Sequence, residues 1–367
     1  MHLAPARGRR GGKRAMPQRT AKAIGMISGG LDSTLALALV KRQGIDVKAV
    51  NFYTGFCITE TQRRKGGRPD GTVPRNEALR AAADLEVEIE YVDVSGDGYL
   101  DLIVNPRYGY GANANPCVDC RIFMMRRARE IMEQEGADFV FTGEVLGQRP
   151  KSQRRDTMRT VERESGLEGR LLRPLSARLL EPTVPELEGL VDRSRLLDIS
   201  GRSRQRQMEL ARELGVVDWP QPAGGCCYLT DEAFARKFFD LLDAREGSGE
   251  GRHIRREDVV LLSTGRHFRL SPAAKLIVGR SEAENAILEG YRGGRARLEA
   301  RGVNGPVALV EGAPTWEERT LAARIVARYG KGRALPRVTV QWEEDGMVEA
   351  YDVEPEGDEA RIEYLRI

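Results

Sequence analysis

The hexamer Ser28-Gly29-Gly30-Leu31-Asp32-Ser33 constrains this chain more than any other stretch. It follows Ala23-Ile24-Gly25-Met26-Ile27, an apolar run suited to a buried parallel strand. It opens a segment from Leu31 to Gln43 that reads as a helix, with Leu35, Ala38 and Leu39 on one face and Gly44 as its stop. Two glycines let the backbone turn sharply and bring N–H groups against an anion. The helix start adds its dipole and unpaired amides, and Ser28 and Ser33 add hydroxyls. Residue types alone therefore make a phosphate cradle. It is not a Walker A loop, because the Gly-x-x-x-x-Gly-Lys-Ser/Thr pattern and its lysine are missing.

Strand and helix patterns alternate onward from there. Ile45 to Tyr53 reads as a second strand, residues 60–75 as a polar loop, Asn76 to Leu85 as a helix and Val87 to Val94 as a strand. A long irregular loop, 105–116, leads into a helix from Cys117 to about Glu135, then a buried strand from Ala137 to Phe141 ending at Thr142-Gly143. Residues 145–180 read as Arg-rich loop, Ser194 to Ser200 as a strand and Ser203 to Leu214 as a helix. Such alternation implies an α/β fold with a parallel sheet covered on both faces. Glu246-Gly-Ser-Gly-Glu-Gly251 reads as a linker, followed by a smaller α+β unit. The expected organisation is a basic arm over 1–21, a nucleotide-binding domain over 22–245, the linker 246–251 and a second domain over 252–367.

Five cysteines stand at 57, 117, 120, 226 and 227. Asn115-Pro116-Cys117-Val118-Asp119-Cys120 starts a helix, a placement that lowers a thiol pKa and favours the thiolate. Pro222-Ala-Gly-Gly-Cys226-Cys227 offers a further thiol on a Gly-rich turn. Three readings fit these residues: Cys117, Cys120 and Cys226 as ligands of a 4Fe–4S cluster with one iron left open, a persulfide carrier paired with a resolving thiol, or a structural zinc site. In the zinc reading Cys227 could supply the fourth ligand, and otherwise it reads as packing; Cys57 reads as a packing residue.

Charge is uneven although the formal net charge is only +3. Residues 1–22 hold seven basic groups and no acid, while 341–367 is strongly acidic. Between 145 and 180 nine basic residues, including Arg149 and Lys151, face four acids. A basic arm and patch suit a polyanion such as RNA or the ATP tail, and equally a solvated, salt-bridged surface. No apolar run approaches a membrane span and no secretory signal is visible, so the cytoplasm is the expected compartment.

The hexamer matches the PP-loop motif Ser-Gly-Gly-x-Asp-Ser, and residues 22–230 resemble the N-type ATP pyrophosphatases, most closely the tRNA thiouridine synthetases. The resemblance implies a PP-loop fold that splits ATP between its α and β phosphates, attaches AMP to a carbonyl oxygen and releases pyrophosphate. Ser28, Gly29, Gly30 and Ser33 would then hold the pyrophosphate and Asp32 would help place Mg²⁺. Asn51, Phe52, Thr142 and Gly143 would line the adenosine pocket. The cysteine placement is similar to that of cluster-dependent tRNA thiolation enzymes, which gives Cys117, Cys120 and Cys226 the sulfur chemistry and makes tRNA the acceptor. The sulfur donor would be sulfide or a persulfide-carrying protein. Lys151 or Arg149 would steady the α-phosphate. The segment Gly265-Arg266-His267-Phe268-Arg269-Leu270 with Lys275 to Asn285 resembles an NFACT-R-type (DUF814-like) module found in RNA-binding proteins. A homodimer is left open. Two other functions fit the same loop: a small-molecule amide- or nitrile-forming ligase, and a non-catalytic RNA-binding protein.

Overall fold

The structure, a computed structural model, describes residues 20–64, 75–219 and 227–367. The basic arm lies outside these except for its last two residues, as do Cys226 and most of the expected 60–75 loop.

The first half runs β1 (Lys22–Met26), α1 (Leu31–Lys41), β2 (Asp46–Tyr53), α2 (Ile58–Arg64), α3 (Glu77–Asp84), β3 (Ile89–Asp93), α4 (Asp97–Val104), α5 (Cys117–Gln134), β4 (Phe139–Thr142), α6 (Arg155–Ser165), β5 (Leu171–Leu172), α7 (Val184–Leu187), α8 (Gln205–Leu214) and α9 (Glu232–Gly247). Its five strands are all parallel, in the order β3-β2-β1-β4-β5. The chain winds one way from β1 through β2 to β3 and the other way through β4. The order therefore reverses between β1 and β4, and ligands bind in the crevice outside the carboxyl ends at such a point. β1 and β4 are buried on both sides, which is why they read as unbroken apolar runs.

The second half runs α10 (Arg256–Leu262), β6 (Arg266–Ser271), β7 (Ala274–Val278), α11 (Glu282–Glu289), β8 (Ala296–Ala300), β9 (Ala308–Gly312), α12 (Trp316–Arg328), β10 (Val338–Glu344), β11 (Met347–Val353) and α13 (Glu359–Leu365). Its six strands form an antiparallel sheet, β11-β10-β8-β9-β7-β6. α12 lays Leu321, Ala322, Ile325 and Val326 on that sheet over Val340, Trp342 and Phe268. The fold is thus mixed α/β: a five-stranded parallel sheet, then a six-stranded antiparallel sheet with helices. An apolar cluster of Phe56, Tyr99, Phe234, Phe238 and Val259 ties α4, α9 and α10 together.

Several local expectations change. α2 occupies Ile58–Arg64 where loop was expected. α6 forms within the Arg-rich stretch, burying Met158, Val161 and Ser165 on a narrow stripe. Ser194–Ser200 is not a strand: Arg193–Arg195 is one 3₁₀ turn and Ser200 makes a single bridge to Leu146. Asp192 caps that turn by accepting from Ser194 N, which spends the local polar groups on a bend rather than a ladder. The expected linker opens as the end of α9, since Glu246 and Gly247 are helical. Arg245 and Asp258 join across it in a buried bidentate pair. No described helix is long and apolar enough to cross a membrane.

Candidate active site

The hexamer sits at the carboxyl end of β1 and opens α1. Gly29 takes φ +76°, and a Cβ there would fall 2.2 Å from the Glu77 carbonyl carbon. Only glycine meets both conditions. Gly30 is the N-cap of α1 and supplies no side chain to satisfy the first amides, which leaves them for a ligand. Ser33 Oγ donates to Gly30 O at 3.0 Å and accepts from Ser28 N at 3.3 Å. The Ser28 and Ser33 hydroxyls lie 3.2 Å apart and hold the loop closed.

Asp32 points from the first turn of α1 toward two elements that follow β4. Gln148 Nε2 donates to its Oδ2 at 3.1 Å, and Arg204 Nη2 stands 3.6 Å from the same oxygen. Oδ1 is buried with no hydrogen-bond partner among the described residues. A carboxylate with one oxygen clamped and the other vacant suits a hard cation, as the resemblance implies for Mg²⁺. Gln148 and Arg204 were not expected as site residues. Gln148 stood in plain view after Gly147, but nothing local in the sequence brings Arg204 back to the loop.

Gly143 follows β4, and a Cβ on it would lie 2.4 Å from Ser33 N and 2.5 Å from the Asp32 carbonyl carbon. The two strand ends thus touch backbone to backbone. Asn51 Nδ2 donates to Ile27 O at 2.6 Å, locking the end of β2 to the end of β1. Phe52 turns to the other face and packs near Met26, Val92 and Tyr108. Thr142 is buried, with its hydroxyl bonded to Glu144.

Glu144, one residue past Gly143, connects this edge to the cysteines. Its carboxylate accepts from Arg121 Nη1 at 2.6 Å and from Arg173 Nε at 3.0 Å. Burial pushes the Glu144 carboxyl up, but Arg121 and Arg173 outweigh it and hold the group below its ordinary value. Arg121 adjoins Cys120 in the first turns of α5. Cys117 opens that helix and faces Gly111, as does the Lys151 stem: a Cβ there would meet Lys151 Cδ at 3.3 Å and Cys117 Sγ at 3.6 Å. Lys151 Nζ donates to Tyr110 O at 2.7 Å. Asp119, between the two thiols in sequence, accepts from Arg107 N at 2.9 Å and Tyr108 N at 3.0 Å. That grip orders the long 105–116 loop.

Cys120 Sγ lies 3.2 Å from the Tyr99 hydroxyl. Burial raises the Tyr99 pKa well above its ordinary value, and Cys120 and Cys227 raise it further. Among the described residues no group of three or more His, Cys, Asp or Glu gathers as a metal site, and Cys226 lies outside them. Much of the Arg-rich patch is internally neutralised: Arg154, Arg159, Arg163, Arg173 and Arg178 each stand within ion-pair distance of a carboxylate. Most of the partners come from other elements: Glu181 for Arg159, Glu144 for Arg173 and Asp198 for Arg178.

Residues 19–178 match the family model described as thiamine biosynthesis protein (ThiI), and residues 265–365 match the NFACT protein RNA binding domain. Among curated proteins the chain is 31% identical over 132 residues to a tRNA-specific 2-thiouridylase MnmA of Syntrophotalea carbinolica, covering 35% of this chain and 36% of that one. A second such thiouridylase, from Petrotoga mobilis, is 30% identical over 134 residues, covering 34% and 35%. The chain spans about a third of the length of these relatives. Among solved structures it is similar to a 4-thiouridine synthetase–RNA complex with bound ATP, at 20% identity and a TM-score of 0.32 over 53% of this chain and 52% of that one.

Proposed function

Because the chain joins a ThiI-type PP-loop region to an NFACT-type RNA-binding domain, we propose that it is an ATP-dependent tRNA uridine thiolase working in the cytoplasm. The observation that carries this reading is the run Gly143-Glu144. Gly143 lies against Asp32 and Ser33 of the phosphate loop, and Glu144 holds Arg121 beside Cys120. Adenylation and sulfur delivery thereby share one strand end.

A uracil carbonyl oxygen is a poor leaving group, and attaching AMP to it turns it into one that sulfur displaces. On this reading the amides of Gly29 to Ser33 and the two serine hydroxyls receive the departing pyrophosphate. Asp32 Oδ1, the vacant oxygen, would hold Mg²⁺ against the phosphates. Arg204, now 3.6 Å from Oδ2, is close enough to turn to the pyrophosphate as charge develops there. Asn51 and Gly143 would border the adenosine, and Lys151, whose stem meets Gly111 beside Cys117, would steady the α-phosphate. The target base is extruded from its stack to reach the crevice.

Cys117 and Cys120, one helical turn apart, together with Cys226 would hold a 4Fe–4S cluster, which when bound supplies an open iron for sulfide. Their chemistry fits by residue type, with three thiolates and the first two at a helix N-terminus. Tyr99 steadies Cys120 by its 3.2 Å contact.

The test is thiouridine formation. Protein purified without oxygen is supplied with ATP, Mg²⁺, sulfide and bulk tRNA, and digested nucleosides are measured by mass. Thiouridine that requires ATP and vanishes in Asp32→Ala supports the proposal. Pyrophosphate release without any thiolated nucleoside, over several tRNAs, defeats it.

A further inference from the structure

Cys57 was expected only to pack, and Cys227 to pack or complete a zinc site, yet the structure sets them face to face. Cys57 follows β2 at the ligand edge of the parallel sheet, and Cys227 stands ahead of α9. They form an isolated antiparallel bridge. The backbone bond beside it runs from Tyr228 N to Phe56 O at 2.9 Å. A bond between the flanking residues rather than the paired ones marks a non-hydrogen-bonded pair, the narrow kind, with Cα atoms about 4.5 Å apart and side chains on one face. A disulfide takes Cα separations of about 4.4–6.8 Å. Both cysteines are half-buried, and Cys227 packs at the margin of the cluster formed by Phe56, Tyr99 and Phe234. The Cys120 sulfur rests on the Tyr99 hydroxyl, and the same phenol feels Cys227.

We propose that Cys57 and Cys227 are a reversible dithiol–disulfide site, oxidised by low-molecular-weight disulfides. One thiolate of the pair attacks a sulfur of the small disulfide and releases one small thiol. The other thiolate then attacks the protein sulfur of the mixed disulfide and releases the second. Two protein S–H bonds and one S–S bond are consumed, and one protein S–S bond and two small thiols are formed. The pair loses two electrons and the small disulfide gains them. Neither Cys57 nor Cys227 belongs to the sulfur-transfer set proposed above, so this site stands without that reading. The closed bond ties the sheet edge after β2 to the chain entering α9, and so stiffens one wall of the crevice.

The experiment uses the full chain without ATP or tRNA. Protein is equilibrated with oxidised and reduced glutathione in graded ratios, alkylated, digested without reductant and mapped by mass spectrometry. Cys226→Ser protein is run in parallel, because Cys226 and Cys227 share a peptide. A Cys57–Cys227 cross-link is expected in both proteins, with two alkylatable thiols lost and fully regained in dithiothreitol. It disappears in Cys227→Ser. A link from Cys57 to Cys226, a link from Cys227 to Cys120, or retention of both thiols at the most oxidising ratio would overturn the assignment. Fragment ions that split the wild-type cross-linked peptide between residues 226 and 227 decide the matter even where a variant folds poorly.

Discussion

Both halves bury several side-chain polar atoms without a hydrogen-bond partner among the described residues, and one from each makes a useful contrast. In the parallel half it is Asp32 Oδ1, buried at the open edge where the strand order reverses. In the antiparallel half it is Nδ1 of His267, a buried residue of β6. His267 Nε2 lies 2.8 Å from Thr264 O and 3.1 Å from Leu261 O, so it carries the proton and donates into the turn after α10. A vacant acceptor at a crevice awaits a ligand. A vacant acceptor on a buried strand residue is a cost borne for structure. On this contrast, deeply buried residues of the second half should support the fold, while Asp32 serves a ligand.

The largest expected effect tests the support role. Trp342 is almost fully buried over α12, with Nε1 bonded to Glu344 and Arg319 across its ring. Trp342→Ala should cost about 3–5 kcal/mol in urea unfolding, while ATP affinity of the still-folded fraction stays unchanged. A change in ATP affinity would break the division between the halves. Asp32→Ala tests the other side: pyrophosphate release should fall about a hundredfold or more, with little loss of stability. A strongly destabilised but active variant would reverse the comparison.

Acid should next separate the halves. Burial, then Lys275 and Lys237, push His267 well below its ordinary value of 6.5. The unfolded chain therefore takes up this proton first, and stability present above pH about 6.5 declines as pH falls below it. Urea midpoints measured from pH 8 to 5 should drop, and His267→Asn should flatten that part of the curve. The smallest effect sits at the edge of the parallel sheet. Lys22 and Lys48 grip Glu135 and hold its carboxyl down to about 2. Its contribution is present above the ordinary carboxylate value of about 4.3 and is lost as pH falls toward 2. Glu135→Gln should remove a minor step in that range, well below the His267 step.

The parts of the site that lie along single strand–helix turns were legible in the sequence. The hexamer, Gly143 and the start of α5 combine turn residues with a change of hydrophobic period, and both are local signals. What joins them was not legible. Gln148, Arg204 and Glu144 reach their partners across the fold, and no spacing announces a contact between Asp32 and a residue far along the chain. α6 was missed because its buried stripe is narrow and its arginines look like solvated loop until their glutamate partners are seen. Ser194–Ser200 failed as a strand because Asp192 diverts the backbone into a bend. The pairing of Cys57 with Cys227 went unread because a single bridge leaves no periodic trace.

The carboxylate of Asp119 gives the Cys-Val-Asp-Cys motif a meaning beyond its thiols. Its two oxygens bind the amides of Arg107 and Tyr108, so the residue between the cysteines shapes the approach to them. Grafting the four-residue motif onto another helix would carry over the sulfurs and leave behind the surface that delivers anything to them. In this chain the portable unit is the whole segment from Arg107 to Arg121.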